Sequence, residues 1–245
     1  MNLDLLSSVE LTASAAIVVS FSAAALGRSV RIRYLLTAVL GLWFIWVVGL
    51  AATNVLGNRG PVGTAGLGLS VILPIIALVM AVRKSTSLAT ALRETPLSSL
   101  IAMNALRILG VSFLLLRSEG RVASTFALSA GWGDIAVGFL AIPLAWVWAR
   151  STAKPYTALR LWNMLGLLDL ICAITLGIGS SPGPLRFIFD SGTSEIMTTL
   201  PWLLIPGFLV PLFLSSHLAI FWRAAKAANE NTVPSARVDL GASSV

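Results

Sequence analysis

The chain has few of the residues that metal and redox chemistry require. Its 245 residues include a single histidine, His217, and a single cysteine, Cys172. This all but excludes a zinc site of cysteine and histidine, a bis-histidine haem within one chain, an iron–sulfur cluster and an internal disulfide. Lysine occurs only at positions 84, 154 and 226, outside the apolar runs, which also argues against a retinal Schiff base. We therefore expect no metal and no cofactor.

Charge is also scarce, since 11% of the residues are charged and 57% are hydrophobic. This balance lies far from that of soluble proteins. A spanning helix needs about 20 mostly apolar residues, and seven runs reach that length. The sequence therefore predicts an all-α, polytopic membrane protein with seven transmembrane helices. The predicted spans lie near residues 10–27, 34–56, 62–82, 97–116, 123–148, 159–179 and 198–222.

The two ends of the chain differ in character. The first apolar run follows Asp4 and Glu10 and lacks the basic leader of a signal peptide, so we interpret it as a retained helix. The bundle is predicted to extend over residues 1–226. Residues 227–245 lose hydrophobicity and periodicity, which predicts a disordered cytoplasmic tail.

Lysine and arginine are distributed unevenly between the predicted loops. Cytoplasmic loops accumulate basic residues, so the richer side should be cytoplasmic, with the N-terminus outside and the C-terminus inside. The basic residues on that side are Arg28, Arg31, Arg33, Arg83, Lys84, Arg93, Arg150, Lys154, Arg160, Arg223, Lys226 and Arg237. The net charge of +7 is then a topology signal. It indicates contact with membrane lipids and no nucleic-acid partner.

Three charged side chains interrupt the predicted spans, namely Arg107, Asp134 and Asp169. A charge in hydrocarbon costs roughly 2.5 to 3.5 kcal/mol on insertion scales, so each needs a partner or water. Counting from the loops places Arg107 and Asp134 within about 4 to 5 Å in height, which makes them the default ion pair. The same counting places Asp169 about 7 Å from Asp134, as the unmatched group.

This layer has two interpretations. An unmatched Asp169 would hold a proton in the apolar interior, which is the chemistry of a proton relay. Alternatively, Arg107 bridges both aspartates in a static network, and Asn104 and Asn163 supply the remaining hydrogen bonds. The sequence leaves both open.

Residues three or four apart share a helix face. In the fourth span this groups Leu100, Asn104, Arg107 and Val111. The fifth span has a stripe of small residues, which is typical of close helix packing. Its members around Asp134 are Ala127, Gly131, Gly138, Ala141 and Ala145.

Other residues are predicted near the membrane surfaces. His217 lies about six residues from the predicted cytoplasmic end of the seventh span, as an interfacial hydrogen-bonding residue or a pH sensor. Trp202 is expected at an outer helix end, as part of an aromatic belt. The tryptophans expected at cytoplasmic ends are Trp146, Trp148, Trp162 and Trp222.

Three prolines, Pro201, Pro206 and Pro211, are spaced five apart in the predicted seventh span. A proline inside a helix removes one backbone bond and frees the carbonyl four residues earlier. Pro206 and Pro211 would free the carbonyls of Trp202 and Gly207. The prolines are therefore hinge candidates, with a plain kink as the alternative.

Segments 126–134, 162–170 and 200–211 resemble those of uncharacterised small bacterial inner-membrane proteins. The resemblance implies a helical bundle in the bacterial inner membrane and no known activity.

Three functions remain, of which we favour the first. It is a small carrier or channel for a proton, cation or small solute that uses Arg107, Asp134 and Asp169, with Asn104, Asn163 and His217 as further candidates. The second is an intramembrane enzyme with an aspartate as general acid on a lipid or isoprenoid, similar to membrane-bound terpene cyclases. The third is a non-catalytic accessory subunit. Enzymatic activity and oligomeric state stay open.

Overall fold

The computed structural model describes residues 3–27, 29–64 and 66–232, and side-chain surroundings as far as residue 225. Within these ranges, seven helical stretches are long and apolar enough to cross a membrane, which is the predicted number. They indicate a multi-pass membrane protein. The stretches are Leu3–Leu26, Val30–Ala52, Gly66–Lys84, Leu97–Ser118, Ser124–Arg150, Tyr156–Ser180 and Ile205–Ala225.

Two of the seven spans are not uniform α-helices. A 3-10 segment, Asn104–Gly110, interrupts the fourth span, and a π-helical segment, Ile205–Leu209, begins the seventh. A short 3-10 turn, Glu195–Thr198, precedes the latter. The α-helices are α1 (Leu3–Leu26), α2 (Val30–Ala52), α3 (Gly66–Lys84), α4 (Thr86–Glu94), α5 (Leu97–Met103), α6 (Val111–Ser118), α7 (Ser124–Arg150), α8 (Tyr156–Ser180) and α9 (Val210–Thr232).

The loops gather on two opposite faces. The N-terminal face combines the start of α1 with loops 53–64, 119–123 and 181–204. There Arg121 Nη2 donates to Asp4 Oδ1 at 2.8 Å, and the backbone N–H of Asn58 donates to Glu195 Oε1 at 3.1 Å. One of these long-range contacts joins loop 119–123 to the start of α1, and the other joins loop 53–64 to loop 181–204.

The opposite, C-terminal face carries α4, a short amphipathic helix that the sequence analysis did not predict. Ser85 caps it, because its Oγ accepts from the N–H of Leu88 at 3.2 Å. The guanidinium of Arg93 lies over the ring of Trp222, 5.2 Å from the centroid. Thus α4 is attached to the end of the seventh span.

The centre of the bundle is α7, which packs along the fourth span on one side and along α8 on the other. Its predicted stripe of small residues is buried, as expected. A Cβ at Gly138 would press on the backbone of Arg107 and Ile108, so this close approach requires glycine. The stripe thereby positions the fourth span against α7.

The 3-10 segment sets the polar face of the fourth span. With three residues per turn, positions i, i+3 and i+6 align, and Asn104, Arg107 and Gly110 are all buried. Val111, predicted on this face from α-helical periodicity, is instead 41% exposed. The prediction for Val111 was wrong because the segment is more tightly wound than an α-helix.

The seventh span begins at Ile205, later than predicted, and Pro201 therefore lies in the preceding turn outside the helix. The carbonyl of Trp202 is not free, since it accepts from the N–H of Ile205 at 3.0 Å. Trp202 is also buried and does not belong to an interfacial belt. Pro206 lies in the π segment and Pro211 at the start of α9. Their role as hinges stays a prediction.

At the other end, α9 extends to Thr232, past the predicted end of the span. The predicted tail, 227–245, lies mostly outside the described residues, which end at 232. Its disorder stays a prediction. The longer helix places His217 well away from its C-terminal end.

Candidate functional site

Arg107 joins the two aspartates that lie within the apolar spans. Its Nε donates to Asp134 Oδ1 at 2.6 Å, and its Nη2 donates to Asp169 Oδ2. The arginine side chain is fully buried, and the aspartate side chains are 16% and 12% exposed. Arginine presents its donors in a planar fork, so one guanidinium can serve two carboxylates. The predicted pair with Asp134 is confirmed, and Asp169 is not unmatched but shares the same arginine, as in the second of the two interpretations.

Glycines explain why Asp169 reaches the same layer. Oδ1 of Asp169 occupies the space that a Cβ on Gly133 would need, so the carboxylate lies against the backbone of α7. On the opposite side of the arginine, Gly110 leaves room for the Cβ of Asp134. Counting residues along helices captures neither this close approach nor the length of the arginine side chain.

His217 contacts the third side of the guanidinium. Its Nε2 lies 3.1 Å from Nη1 of Arg107, and its Nδ1 lies 2.8 Å from Oδ1 of Asn163. Because arginine only donates, Nε2 must accept, and Nδ1 must carry the proton that Asn163 accepts. The ring is therefore neutral. The predicted interfacial position of His217 was wrong, since the side chain is fully buried.

The two candidate asparagines have different roles. Nδ2 of Asn163 donates to the carbonyl of His217 at 3.1 Å, which completes the support of the imidazole. Nδ2 of Asn104 instead donates to the carbonyl of Leu100 at 3.0 Å and to Oγ of Ser216 at 2.9 Å. Asn104 therefore ties the fourth span to α9. Ser216 was missed because a serine in an apolar helix gives no distinctive signal.

We define the Arg107 layer as Arg107, Asp134, Asp169, Asn163 and His217. Nη1 of Arg107 also donates to the carbonyl of Gly166 at 3.4 Å. With both carboxylates ionised and the imidazole neutral, the layer carries a net charge of −1. An uncompensated charge in a low-dielectric interior is unfavourable. One proton or one cation would neutralise it.

A largely apolar cavity of about 60 Å³ reaches this layer at Asp134. We call it the Asp134 cavity. Among the described residues, Oδ2 of Asp134 has no hydrogen-bond partner, while Oδ1 is held by Arg107. Residues that contribute to the lining include Leu67, Val71, Phe113, Phe126, Leu170 and Met197. The cavity lies between α3, α6, α7, α8 and the π segment, toward the N-terminal face.

Glu10 is a further carboxylate within an apolar span that sequence reasoning missed. Its two oxygens lie 3.0 and 3.2 Å from Oγ of Ser112, which donates to them. The first span was predicted to begin at residue 10, whereas α1 begins at Leu3. Asp4, which was expected to precede the span, therefore belongs to the helix.

Within the described ranges, no group of three or more histidine, cysteine, aspartate or glutamate side chains is placed to hold a metal ion. No curated protein and no solved structure matches the chain. One family model matches residues 64–225, about two thirds of the sequence. This match contains every member of the Arg107 layer and leaves out α1 and α2. The chain therefore belongs to the family described as Domain of unknown function (DUF8737).

Proposed function

We propose that this protein is a small membrane carrier or channel for a proton, cation or small solute, and that it works through the Arg107 layer. The observation that carries the proposal is the sharing of Arg107 by Asp134 and Asp169 at mid-span. Buried ionisable groups within membrane spans commonly mark ion or proton pathways.

The charge of the layer supports uptake of one positive charge. The Arg107 fork stabilises both carboxylates, yet one negative charge remains uncompensated while His217 is neutral. A proton on Asp169 would neutralise the layer and weaken that carboxylate's hold on Arg107. Arg107 would then be free to shift toward Asp134. Protonation and rearrangement of the layer are coupled in this way.

The exterior of the bundle supports insertion in a bilayer. Large apolar side chains face outward along the helices, among them Trp46 and Phe139, each 66% exposed. An apolar surface of this extent fits lipid better than water. The excess of arginine and lysine on the C-terminal face supports a cytoplasmic C-terminus and an outer N-terminus. We propose the bacterial inner membrane as the location.

The test is proton flux in liposomes that contain the full chain. Vesicles are loaded with a pH-sensitive dye, and a potassium gradient with valinomycin makes the interior negative. We expect faster internal acidification than in protein-free vesicles, and loss of the difference in Asp169→Asn. Asp190→Asn is the matched control, since it makes the same chemical change in a loop outside the layer.

Two results would count against the proposal. One is acidification no faster than in protein-free vesicles. The other is unchanged flux in Asp169→Asn. If Asp169→Asn lowers the stability of the protein and no activity is lost apart from that, the result would favour a non-catalytic accessory subunit. The polar layer would then serve only packing.

A second candidate function is catalysis on a lipid or isoprenoid. The observation that favours it is the Asp134 cavity, whose apolar walls end at a carboxylate. A protonated Asp134 could act there as a general acid. Incubation with prenylated lipids, followed by mass spectrometry, tests this function. A product formed by the unaltered protein and absent with Asp134→Asn would support it, whereas recovery of unchanged lipid would exclude these substrates.

A further inference from the structure

We propose that Glu10 binds a proton at a second site, which lies between α1 and the fourth span and is separate from the Arg107 layer. Glu10 lies within the first apolar stretch, Leu3–Leu26, and is partly buried. Its two oxygens accept from Oγ of Ser112, a buried residue, at 3.0 and 3.2 Å. The inference goes beyond the proposed function and does not rest on it.

The depth of Glu10 places its carboxyl group in hydrocarbon when the protein lies in a bilayer. The 24 residues of α1 give a helix of about 36 Å. A hydrocarbon core of about 30 Å, centred on this helix, begins roughly 3 Å past Leu3. Glu10 follows Leu3 by roughly 10 Å along the helix, so it lies about 7 Å inside the core. A charge at this depth is costly unless a partner compensates it.

Glu10 forms no ion pair within the described residues. α2 and α4 pack against α1, and their charged and titratable residues lie at the C-terminal face. These residues are Arg31, Arg33, Tyr34, Arg93 and Glu94. α5 and the π segment also contact α1 and carry none. On the N-terminal side, Asp4 pairs with Arg121, and Arg117 is exposed in the last turn of α6.

Ser112 supplies too few hydrogen bonds for a buried charge. An ionised carboxylate has about four acceptor positions, and the hydroxyl of Ser112 has a single proton to donate between the two oxygens. Burial of an unpaired charge is more costly than burial of a neutral, hydrogen-bonded group. Glu10 therefore holds a proton as a carboxylic acid, and Ser112 orients the carboxyl group.

Polar residues on α1 connect Glu10 with the N-terminal face. Ser7 lies three residues before Glu10, and Asp4 lies three residues before Ser7, so neighbouring members share a helix face. Oγ of Ser7 is fully buried and has no hydrogen-bond partner among the described residues. Because a hydroxyl both donates and accepts, Ser7 can pass a proton between Glu10 and the end of α1, where Asp4 is about half exposed.

The site at Glu10 is distinct from the Arg107 layer. Gly110 packs against the side chain of Asp134 on α7, whereas Ser112 contacts Glu10 on α1. Residues two apart lie roughly 200° apart around an α-helix. Glu10 and Asp134 therefore lie on opposite sides of the fourth span, and each can bind a proton without contacting the other.

The experiment is chemical labelling of the full chain in lipid nanodiscs with dicyclohexylcarbodiimide. This reagent dissolves in the bilayer and modifies protonated carboxyl groups. Mass spectrometry of peptides then distinguishes Glu10 from Asp134 and Asp169. We expect label at Glu10 near neutral pH and none at Glu119, an exposed carboxylate that pairs with Arg121 in a loop. The labelled fraction at Glu10 should fall about tenfold per pH unit once the group ionises, as for a single titrating proton.

A pair of serine variants tests the contact between the two helices. Ser112→Ala removes the hydrogen bond that favours the ionised form, so more label should appear at Glu10 at a given pH above neutrality. Ser118→Ala is the matched control, since its hydroxyl donates to the carbonyl of Leu115 at 2.8 Å in the same span. Glu10→Gln should remove the label from the N-terminal peptide. Circular dichroism and size-exclusion chromatography identify variants that fold.

Two results would overturn the inference. One is the absence of label at Glu10 near neutral pH in the unaltered, folded protein. The other is equal labelling at Glu10 in Ser112→Ala and Ser118→Ala across the pH range.

The outcomes also separate this inference from the proposed function. Label at Glu10 without proton flux in liposomes would support the second site and count against the carrier. Proton flux without label at Glu10 would overturn the second site and leave the carrier in place.

Discussion

Asp134 and Asp169 share one arginine but lie in different surroundings. Asp134 lines a cavity, whereas Oδ1 of Asp169 lies against the backbone at Gly133. The same arginine therefore holds one carboxylate that borders a cavity and one that is enclosed by helix packing. Pairing with arginine alone does not decide what a buried carboxylate does.

The largest effect should come from removing the shared partner. Arg107→Leu leaves two carboxylates in the bundle without a cation, and loss of one partner of a buried ion pair costs roughly 3 to 5 kcal/mol. We expect a corresponding loss in the free energy of unfolding, measured by circular dichroism during titration with sodium dodecyl sulfate. Both aspartates lose the same partner, so we expect both to contribute to the loss of stability.

A triple variant serves as the control for this experiment. Arg107→Leu combined with Asp134→Asn and Asp169→Asn removes all three charges and should recover most of the lost stability. If the triple variant is less stable than Arg107→Leu alone, the destabilisation does not arise from unpaired charge.

The next effect should separate the two aspartates. Gly133→Ala places a methyl group where Oδ1 of Asp169 lies, and leaves Asp134 paired with Arg107. Overpacking of this kind costs about 1 to 3 kcal/mol. We expect reduced proton flux in the liposome assay, while the pair between Arg107 and Asp134 is retained. Gly41→Ala is the control because no atom lies within 4 Å of its added Cβ. Equal stability of the two variants would contradict the packing that we describe for Asp169.

A smaller effect is expected on the side of Arg107 that neither aspartate contacts. His217→Phe removes the acceptor for Nη1 and leaves the carbonyl of Gly166 at 3.4 Å. A buried donor without its partner costs about 1 to 3 kcal/mol. Nitrogen chemical shifts of the unaltered protein should show the proton on Nδ1. A proton on Nε2 would contradict the hydrogen-bond network.

The smallest effect is expected for an aspartate in the opposite environment. Asp190 is partly exposed, and its Oδ2 accepts from the backbone N–H of Thr125 at 2.6 Å, near the start of α7. This bond lowers the pKa of Asp190 from its ordinary value of 3.8. A lowered pKa means that the charged form stabilises the fold, so the contribution is present above that value and lost as the pH falls through the lowered pKa.

Thermal unfolding of Asp190→Asn tests whether the charged form of Asp190 stabilises the fold. Its midpoint should lie slightly below that of the unaltered protein at neutral pH, and the difference should shrink in acid. A difference that grows toward low pH would contradict the assignment.

The spans were predictable because hydrophobic length depends on local sequence alone. The start of α1 was not predictable, since Asp4 and Glu10 find their partners far along the chain, at Arg121 and Ser112. Nothing in the first twenty residues reveals those partners. The same reasoning explains why the burial of Trp202 was not predicted, since its Nε1 donates to Asp4 Oδ1 at 3.3 Å, far away in the sequence.

The site was predictable in its members and not in its connections. Arg107, Asp134 and Asp169 were identified as charged residues within apolar runs. A charge in such a run costs free energy unless it has a partner, so it marks a site. The bridge to Asp169 depends on a missing side chain at Gly133, and the imidazole of His217 occupies the space that a Cβ on Gly166 would need. Both contacts depend on a neighbouring helix, and the periodicity of residues along one helix gives no information about its neighbours.

The 3-10 segment that holds Arg107 has a mechanical consequence. A 3-10 helix rises about 2.0 Å and turns about 120° per residue, against about 1.5 Å and 100° for an α-helix. Rewinding Asn104–Gly110 into an α-helix would shorten the fourth span by roughly 3 to 4 Å and rotate its ends relative to each other by about 140°. Arg107 lies within this segment. A ligand that neutralises the layer and favours one winding over the other would therefore displace the two loop faces relative to each other.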